Sequence, residues 1–155
     1  MNEWSTGDAA DAFGGAAMLR KVGDLMKREV YQLPPSASVY QAACLMKKRG
    51  CESVVVTQRG RILGIFTTGD LVKRVAAERR SPSTVKLVSV MTEKPDMVSP
   101  ETLAIDALRM MQDGRYRHLP VVDGKQLVGI ISRRDFFGRE QSIVEDEDHI
   151  SEVIW

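Results

Sequence analysis

The sequence predicts an α+β protein made of two β-α-β-β-α repeats packed as one pseudo-symmetric unit, and three observations carry this. First, residues 22–75 and 87–140 align without a gap at a shift of 65. Met26 falls on Met91, Pro35 on Pro100, Ala42 on Ala107, Met46 on Met111, Val56 on Val121, Gly64 on Gly129, Ile65 on Ile130 and Asp70 on Asp135. An internal repeat fixes the reading of everything else. Second, apolar residues recur at helical spacing early in each half, and β-branched runs bounded by turn residues follow them. Third, a single repeat of about 55–65 residues is marginal as an isolated core, so the two halves are expected to share one.

The elements follow in order. Residues 1–19 are rich in Ala, Gly and Asp, have no period, and read as a flexible tail. The first repeat, 20–79, opens near Val22. Tyr31-Gln32-Leu33 is a short strand before Pro34-Pro35. Ser38 caps a helix from Val39 to Arg49, with Gly50 in the left-handed position beyond it. Val39, Ala42, Ala43 and Met46 give its buried stripe, and Cys44 reads as a small buried hydrophobe. Ser53 to Thr57 is a strand, Gln58 to Arg61 turns the chain, Ile62 to Phe66 returns, and a helix runs from about Thr68 to Glu78.

Residues 80–86 form a linker. The second repeat, 87–140, copies the order. Asp96-Met97-Val98 is a strand. Thr102 caps a helix from Leu103 to Asp113, stopped by Gly114. His118 to Val122 is a strand, Asp123-Gly124 signals a hairpin, Gln126 to Ile131 pairs with it, and a helix starts near Arg133. Residues 141–155 form an acidic tail or short helix. Ile150, Val153, Ile154 and Trp155 are spaced to dock a terminal helix on the body or on a second chain. Met46, Met110 and Met111 are expected in the core.

Bulk properties narrow the function. The net charge of +1 divides into acidic ends and a basic middle, which suits either an anionic partner or solvated helix faces. No apolar run is long enough to span a membrane. Met1 to Ala17 has no basic residue and no long apolar stretch, so no signal peptide is expected and the cytoplasm is the expected location. Cys44 and Cys51 have no Cys-x-x-Cys spacing, and His118 and His149 are the only histidines, so no metal or redox motif is expected.

Chemistry concentrates in two matching phrases, Gly64-Ile65-Phe66-Thr67-Thr68-Gly69-Asp70 and Gly129-Ile130-Ile131-Ser132-Arg133-Arg134-Asp135. Each lies where a strand ends and a helix begins. Thr67 with Asp70, and Ser132 with Asp135, fit a capping box with Asp in place of Glu. The same groups suit a nucleotide. A helix start attracts phosphate, a carboxylate accepts both hydroxyls of a ribose, and Gly64 and Gly129 admit a planar base close to the backbone. Capping and ligation are compatible because a carboxylate has spare lone pairs. His118 fits either a structural strand position or, beside Arg117, a phosphate-facing one. No nucleophile with its base and no carboxylate pair accompanies it, so catalysis is not expected.

Together these phrases resemble a tandem pair of cystathionine-β-synthase (CBS) domains, a Bateman module of the stand-alone bacterial or archaeal signalling type. Val22-Gly23-Asp24-Leu25-Met26 and Val88-Ser89-Val90-Met91-Thr92 match as openings, Ala42-x-x-x-Met46 and Ala107-x-x-x-Met111 as helices. Arg117 to Gly124 and the two closing phrases complete a match over about residues 20–140. The resemblance implies two three-stranded sheets with flanking helices about a pseudo-twofold axis. It implies clefts for adenosine compounds (AMP, ADP, ATP, NAD(H) or S-adenosylmethionine) as regulatory ligands, with no obligatory cofactor and no metal. It also implies a homodimer and a regulated partner protein.

Carried over residue by residue, Ser132 and Asp135 hold ribose in one cleft, with Arg134 near sugar or phosphate. The base lies near Met97, Val98 and Ile130, and Cys51-Glu52-Ser53 closes that cleft. In the other, Thr67 and Asp70 take the ribose while Arg117 and His118 face the phosphates. The expected function is a non-catalytic sensor of energy or redox state. The alternatives are an interaction scaffold with vestigial clefts, an enzyme, and a nucleic-acid binder. No helix-turn-helix, zinc or aromatic RNA-binding signature supports the last.

Overall fold

A computed structural model describes residues 20–136 and 138–153. The expected tail before residue 20 and the apolar side chains from Ile150 to Trp155 lie outside the described residues. The elements are α1 (Val22–Leu25), β1 (Gln32–Leu33), α2 (Val39–Arg49), β2 (Ser53–Gln58), β3 (Arg61–Thr67) and α3 (Thr68–Asp70), which continues as a π-helix over Leu71–Ala76. After a 3-10 turn at Leu87–Ser89 come β4 (Thr92–Glu93), α4 (Ala104–Gly114), β5 (His118–Asp123), β6 (Gln126–Ser132), a 3-10 turn at Arg133–Asp135, and α5 (Gly138–Val153).

The sheets reproduce the 65-residue shift pair by pair. β1 runs parallel to β2 with Leu33 opposite Val56, and an isolated parallel bridge joins Val98 to Val121. The hairpins β2–β3 and β5–β6 share one register, with bulges at the equivalent steps Val56/Thr57 and Val121/Val122. β4 pairs Thr92 with Ile65, and Lys27 bridges Ile130. The three-stranded sheets implied by the resemblance are therefore a four-stranded sheet β1-β2-β3-β4 and the two-stranded β5–β6 flanked by two bridges. The expected strand 96–98 shrinks to the single bridge for a chemical reason. Val55 N–H donates to Tyr31 O at 2.9 Å, whereas its counterpart Pro120 has no N–H to offer Asp96.

The opening segments are exchanged. Lys27 opens the first repeat but pairs with the second repeat's β6; Thr92 opens the second but pairs with the first repeat's β3. The cores follow. Val22, 0% exposed, packs with Ala107, Leu108, Met111, Leu119, Val121 and Ile131 of the second repeat. Leu87, its counterpart, packs with Val39, Ala42, Val54, Val56 and Phe66 of the first. The structure thus has two cores, each completed by the other half's opening, rather than the one shared core expected. Full burial of a side chain such as Leu87 stabilises by about 1.5–3 kcal/mol.

The exchange explains both strand glycines. A Cβ on Gly64 would lie 2.6 Å from Met91 Sδ and 2.7 Å from Thr92 O; on Gly129, 2.6 Å from Met26 Sδ and 2.9 Å from Lys27 O. These glycines make room for the crossing segment, not for the planar base expected of them.

Several local expectations are corrected. Ser38 caps α2 as foreseen, accepting from Gln41 N while Gln41 Oε1 accepts from Ser38 N. Thr102 does not cap α4: its Oγ1 accepts from Ser99 N, and the helix's first amide, Ala104 N, donates to Arg20 O at 2.7 Å. The left-handed residue after α4 is Arg115 (φ 55°), not Gly114. Gly114 instead leaves space for the Tyr116 ring, since a Cβ there would lie 2.0 Å from Tyr116 Cε1. The helix expected from Thr68 is one α-turn followed by π-helix. The helix expected near Arg133 is a single 3-10 turn, and Gly138–Val153 is one 16-residue helix. It docks through buried Val144, and buried Glu140 meets Arg20 at 3.3 Å. Cys44 is exposed, because two residues from Ala42 is nearly the opposite helix face. Met46 and Met111 are buried, and Met110 packs against the second core.

Replacing Gly64 by Ala drives a methyl group into a backbone carbonyl that cannot move without parting β3 from β4. Urea unfolding of Gly64→Ala should show a loss of about 1–3 kcal/mol; an unchanged midpoint would contradict the crossing geometry.

Candidate functional site

Two clefts open between the halves and contain equivalent positions. The first, about 720 Å³, is lined by the β3–α3 junction (Thr67 to Asp70), the π-helix residues Lys73 and Arg74, the β4 region (Thr92, Lys94, Pro95, Asp96), and Arg115, Tyr116, Arg117 and His118. The second, about 370 Å³, is lined by Ser132 and Asp135, by Lys27 to Tyr31 of the exchanged opening, and by Arg49 to Ser53. Glu52, His118 and Arg134 line both.

Each junction carboxylate caps with one oxygen and keeps the other. Asp70 Oδ2 accepts from Thr67 N at 2.9 Å and from Thr67 Oγ1 at 3.2 Å; Asp70 N donates to Thr67 Oγ1 at 3.4 Å. Asp135 Oδ2 accepts from Ser132 N at 2.7 Å and from Ser132 Oγ at 3.2 Å. The Oδ1 atoms have only long ion pairs, Asp70 with Arg74 Nε at 3.6 Å and Asp135 with Lys27 Nζ at 3.9 Å. Both side chains are 12% exposed. Capping and a free acceptor therefore coexist. Arg74 also donates from Nη1 to Val90 O and Met91 O at 3.2 and 2.8 Å, and Lys27 belongs to the other opening. Each carboxylate is thereby held to an exchanged segment.

The junctions differ in their helices. α3 has only three residues before the π-turns, and the second junction is a lone 3-10 turn whose successor Phe136 is extended. Neither junction opens a sustained α-helix, so the helix-start attraction for phosphate expected from the sequence is weak at both.

The first cleft brings together Thr67, Asp70, Arg117 and His118, as the sequence anticipated, and adds Arg134. The second brings together Ser53, Ile130, Ser132, Arg134 and Asp135. Met97 and Val98 line neither cleft. Met97 is 44% exposed, and Val98 is buried against Val121. The segment facing Ile130 is Lys27 to Tyr31, because the openings are exchanged. Two aromatic walls were not foreseen. Tyr116 donates its hydroxyl to Asp96 Oδ2 at 2.7 Å, and burial, reinforced by that carboxylate, pushes the phenol up to about 12. Tyr31 lies beneath the Arg49 guanidinium, 5.6 Å from its ring centre. Shifting Cys51-Glu52-Ser53 by 65 gives Tyr116-Arg117-His118, a signal that points to Tyr116.

Between the clefts Arg134 Nη2 donates to Glu52 Oε1, an ion pair joining the halves. Burial lowers the His118 imidazole below its ordinary range and Arg117 lowers it further, against the opposing pull of Glu52 and Asp135. The ring is therefore neutral at pH 7, a hydrogen-bonding group rather than a charge. Among the described residues no cluster of side chains fits a metal ion, and no helix is long and apolar enough to cross a membrane.

With this geometry in place, comparisons with known proteins agree on the architecture. A CBS domain family model matches twice, over residues 22–77 and 87–141. A CBS domain-containing protein of Arabidopsis thaliana, CBSCBSPB3, is 38% identical over 95 residues, 61% of this chain and 17% of that protein. The chain thus spans about a fifth or less of that relative's length. A putative signal-transduction protein with CBS domains from Burkholderia ambifaria is 30% identical, with TM-score 0.72 over 81% of this chain and 95% of that one. The CBS domain pair of protein MJ0100, solved with 5′-methylthioadenosine and S-adenosyl-L-methionine, is 20% identical, with TM-score 0.68 over 76% of this chain and 92% of that one.

His118 makes stability depend on pH. The unfolded chain protonates His118 near 6.5 and the folded chain only at lower pH. Between those values the unfolded state holds more protons, so stability falls as pH drops below about 6.5. In His118→Gln this component of the acid loss should be absent. An identical pH–stability curve below 6.5 in both proteins would contradict the placement of His118.

Proposed function

The chain belongs to the CBS-domain family, and from that premise we propose that it is a non-catalytic regulatory module binding adenosine nucleotides in the two clefts. AMP, ADP, ATP and NAD(H) are the candidate ligands, and the nucleotide reports energy or redox state to a partner protein. One observation carries the reading: the same carboxylate occurs twice, committed to its cap through Oδ2 and open to the cleft through Oδ1. A vicinal diol donates two hydrogen bonds and suits such an acceptor. The Tyr116 and Tyr31 rings offer flat apolar surface to a base. Arg117, with neutral His118 beside it, supplies donors for phosphate.

The adenosine-type ligands in the MJ0100 domain pair support this ligand class. Regulation follows from where the clefts lie. Each is walled by both halves and by an exchanged opening, so a bound nucleotide favours one relative placement of the halves over others, which is what a ligand must do to shift an equilibrium. The protein acts in the cytoplasm as a homodimer in this reading. Two related structures described as hexameric CBS-CP12 proteins, 32% and 29% identical to this chain, support self-association.

Calorimetric titration with AMP, ATP and NADH tests the proposal. At least one should bind, and Asp70→Asn and Asp135→Asn should each weaken their cleft about tenfold or more through loss of charge-assisted bonds. Their stability cost should stay within about 1 kcal/mol, because the Asn amide oxygen can still accept from the Thr67 or Ser132 N–H. No heat and no thermal shift at saturating concentrations of all three would leave the scaffold reading in its place.

A further inference from the structure

The two clefts act as controls for each other, since most lining positions of one have a counterpart 65 residues away in the other. At most of those paired positions the chemistry differs. Lys94, Arg115 and Arg117 of the first cleft stand where the second has Glu29, Gly50 and Glu52. In the reverse sense, Asp96 stands opposite Tyr31, and Gly69, Thr92 and Gly114 stand opposite the cations Arg134, Lys27 and Arg49. The first three exchanges each add positive charge to the first cleft or remove negative charge from it.

The availability of those charges differs too. Among the described residues, Lys94, Arg115 and Arg117 have no carboxylate within ion-pair distance, while the acids beside them are committed. Asp96 accepts from Tyr116, Glu52 holds Arg134, and Asp70 caps through Oδ2 with Arg74 3.6 Å from Oδ1. In the second cleft most cations are committed: Lys27 faces Asp135, Arg134 is paired with Glu52 and Arg49 lies over Tyr31, which leaves Arg28 there without an ion pair among the described residues. Lys94 and Arg115 hold left-handed conformations, at φ 46° and 55°, as do Arg59 and Arg79 outside the clefts; non-glycine residues adopt them at a cost. Gly50, the counterpart of Arg115, has φ 64° and avoids that cost. A cationic side chain occupies a position where glycine is sterically preferred.

We propose that the clefts divide the ligand by its phosphate content: the first takes a nucleoside polyphosphate through Arg115, Arg117 and Lys94, and the second takes a nucleoside without phosphate. Glu52 takes in the second cleft the place that Arg117 holds in the first, and it neutralises Arg134 on the wall the two clefts share. This rests on the adenosine reading above and adds to it that the two sites are not interchangeable.

Competition calorimetry on the full chain, with ATP and adenosine as probes, tests the division. Protein saturated with adenosine should still bind one ATP per chain, with affinity within about threefold of its value for free protein. Arg117→Glu, which copies Glu52 into the first cleft, should weaken ATP about tenfold or more and leave adenosine binding in place. Arg115→Gly relieves the left-handed backbone, so it should melt at a higher temperature than the parent while binding ATP more weakly, a pairing that a purely structural arginine would not give. Glu52→Arg should create a second ATP site.

Stoichiometric displacement of ATP by adenosine, or unchanged ATP affinity in both Arg117→Glu and Arg115→Gly, would overturn the division while leaving the adenosine reading intact. If neither probe binds the parent protein, the adenosine reading fails and the division fails with it.

Discussion

The whole arrangement depends on the crossing of two opening segments. Met91 and Thr92 pass over Gly64 to join the first repeat's sheet, and Met26 and Lys27 pass over Gly129 to join the second. Neither core is complete without the other half's contribution, Val22 in one and Leu87 in the other. The halves therefore cannot separate without opening both cores. Each cleft takes one wall from the crossing segment.

The same crossing positions the chemistry. Arg74 ties the Asp70 carboxylate to the carbonyls of Val90 and Met91, and Lys27 faces Asp135. A carboxylate that must cap a turn and also receive a ligand needs its rotamer fixed. The cap fixes Oδ2, and the long cationic contacts leave Oδ1 open to a closer donor. In the proposed reading, one Asp per junction serves both as cap and as ligand acceptor. The duplicated clefts are not identical: Lys94, Arg115 and Arg117 of one stand where the other has Glu29, Gly50 and Glu52.

Much of this was legible in the residues. The duplication, the two hairpins with their β-branched strands, the Ser38 cap and the paired junction phrases all follow from local chemistry, and the structure has them. The exchange was not legible. A two-residue strand such as β4 carries no periodicity that says which sheet it joins, and Gly64 and Gly129 look the same whether a base or a methionine fills the space beside them. The misplacement of Met97 and Val98 beside Ile130 follows from that one ambiguity. Other misses are competitions between neighbours. Thr102 had the chemistry of a cap, but the Arg20 carbonyl reaches Ala104 first. Pro120, with no N–H to donate, is the reason a strand is missing opposite it. Arg115 takes the left-handed position because Gly114 is needed beneath the Tyr116 ring.

The central claim is that Asp70 and Asp135, held by the exchanged segments, receive the hydroxyls of a nucleoside sugar. A crystal structure of the full chain grown with ATP and adenosine tests it most directly. The account predicts ribose hydroxyls at hydrogen-bond distance from the Oδ1 atoms of Asp70 and Asp135, with both Oδ2 caps intact. Nucleotide bound elsewhere on the surface, or ribose placed in the clefts with no contact to either carboxylate, would contradict it.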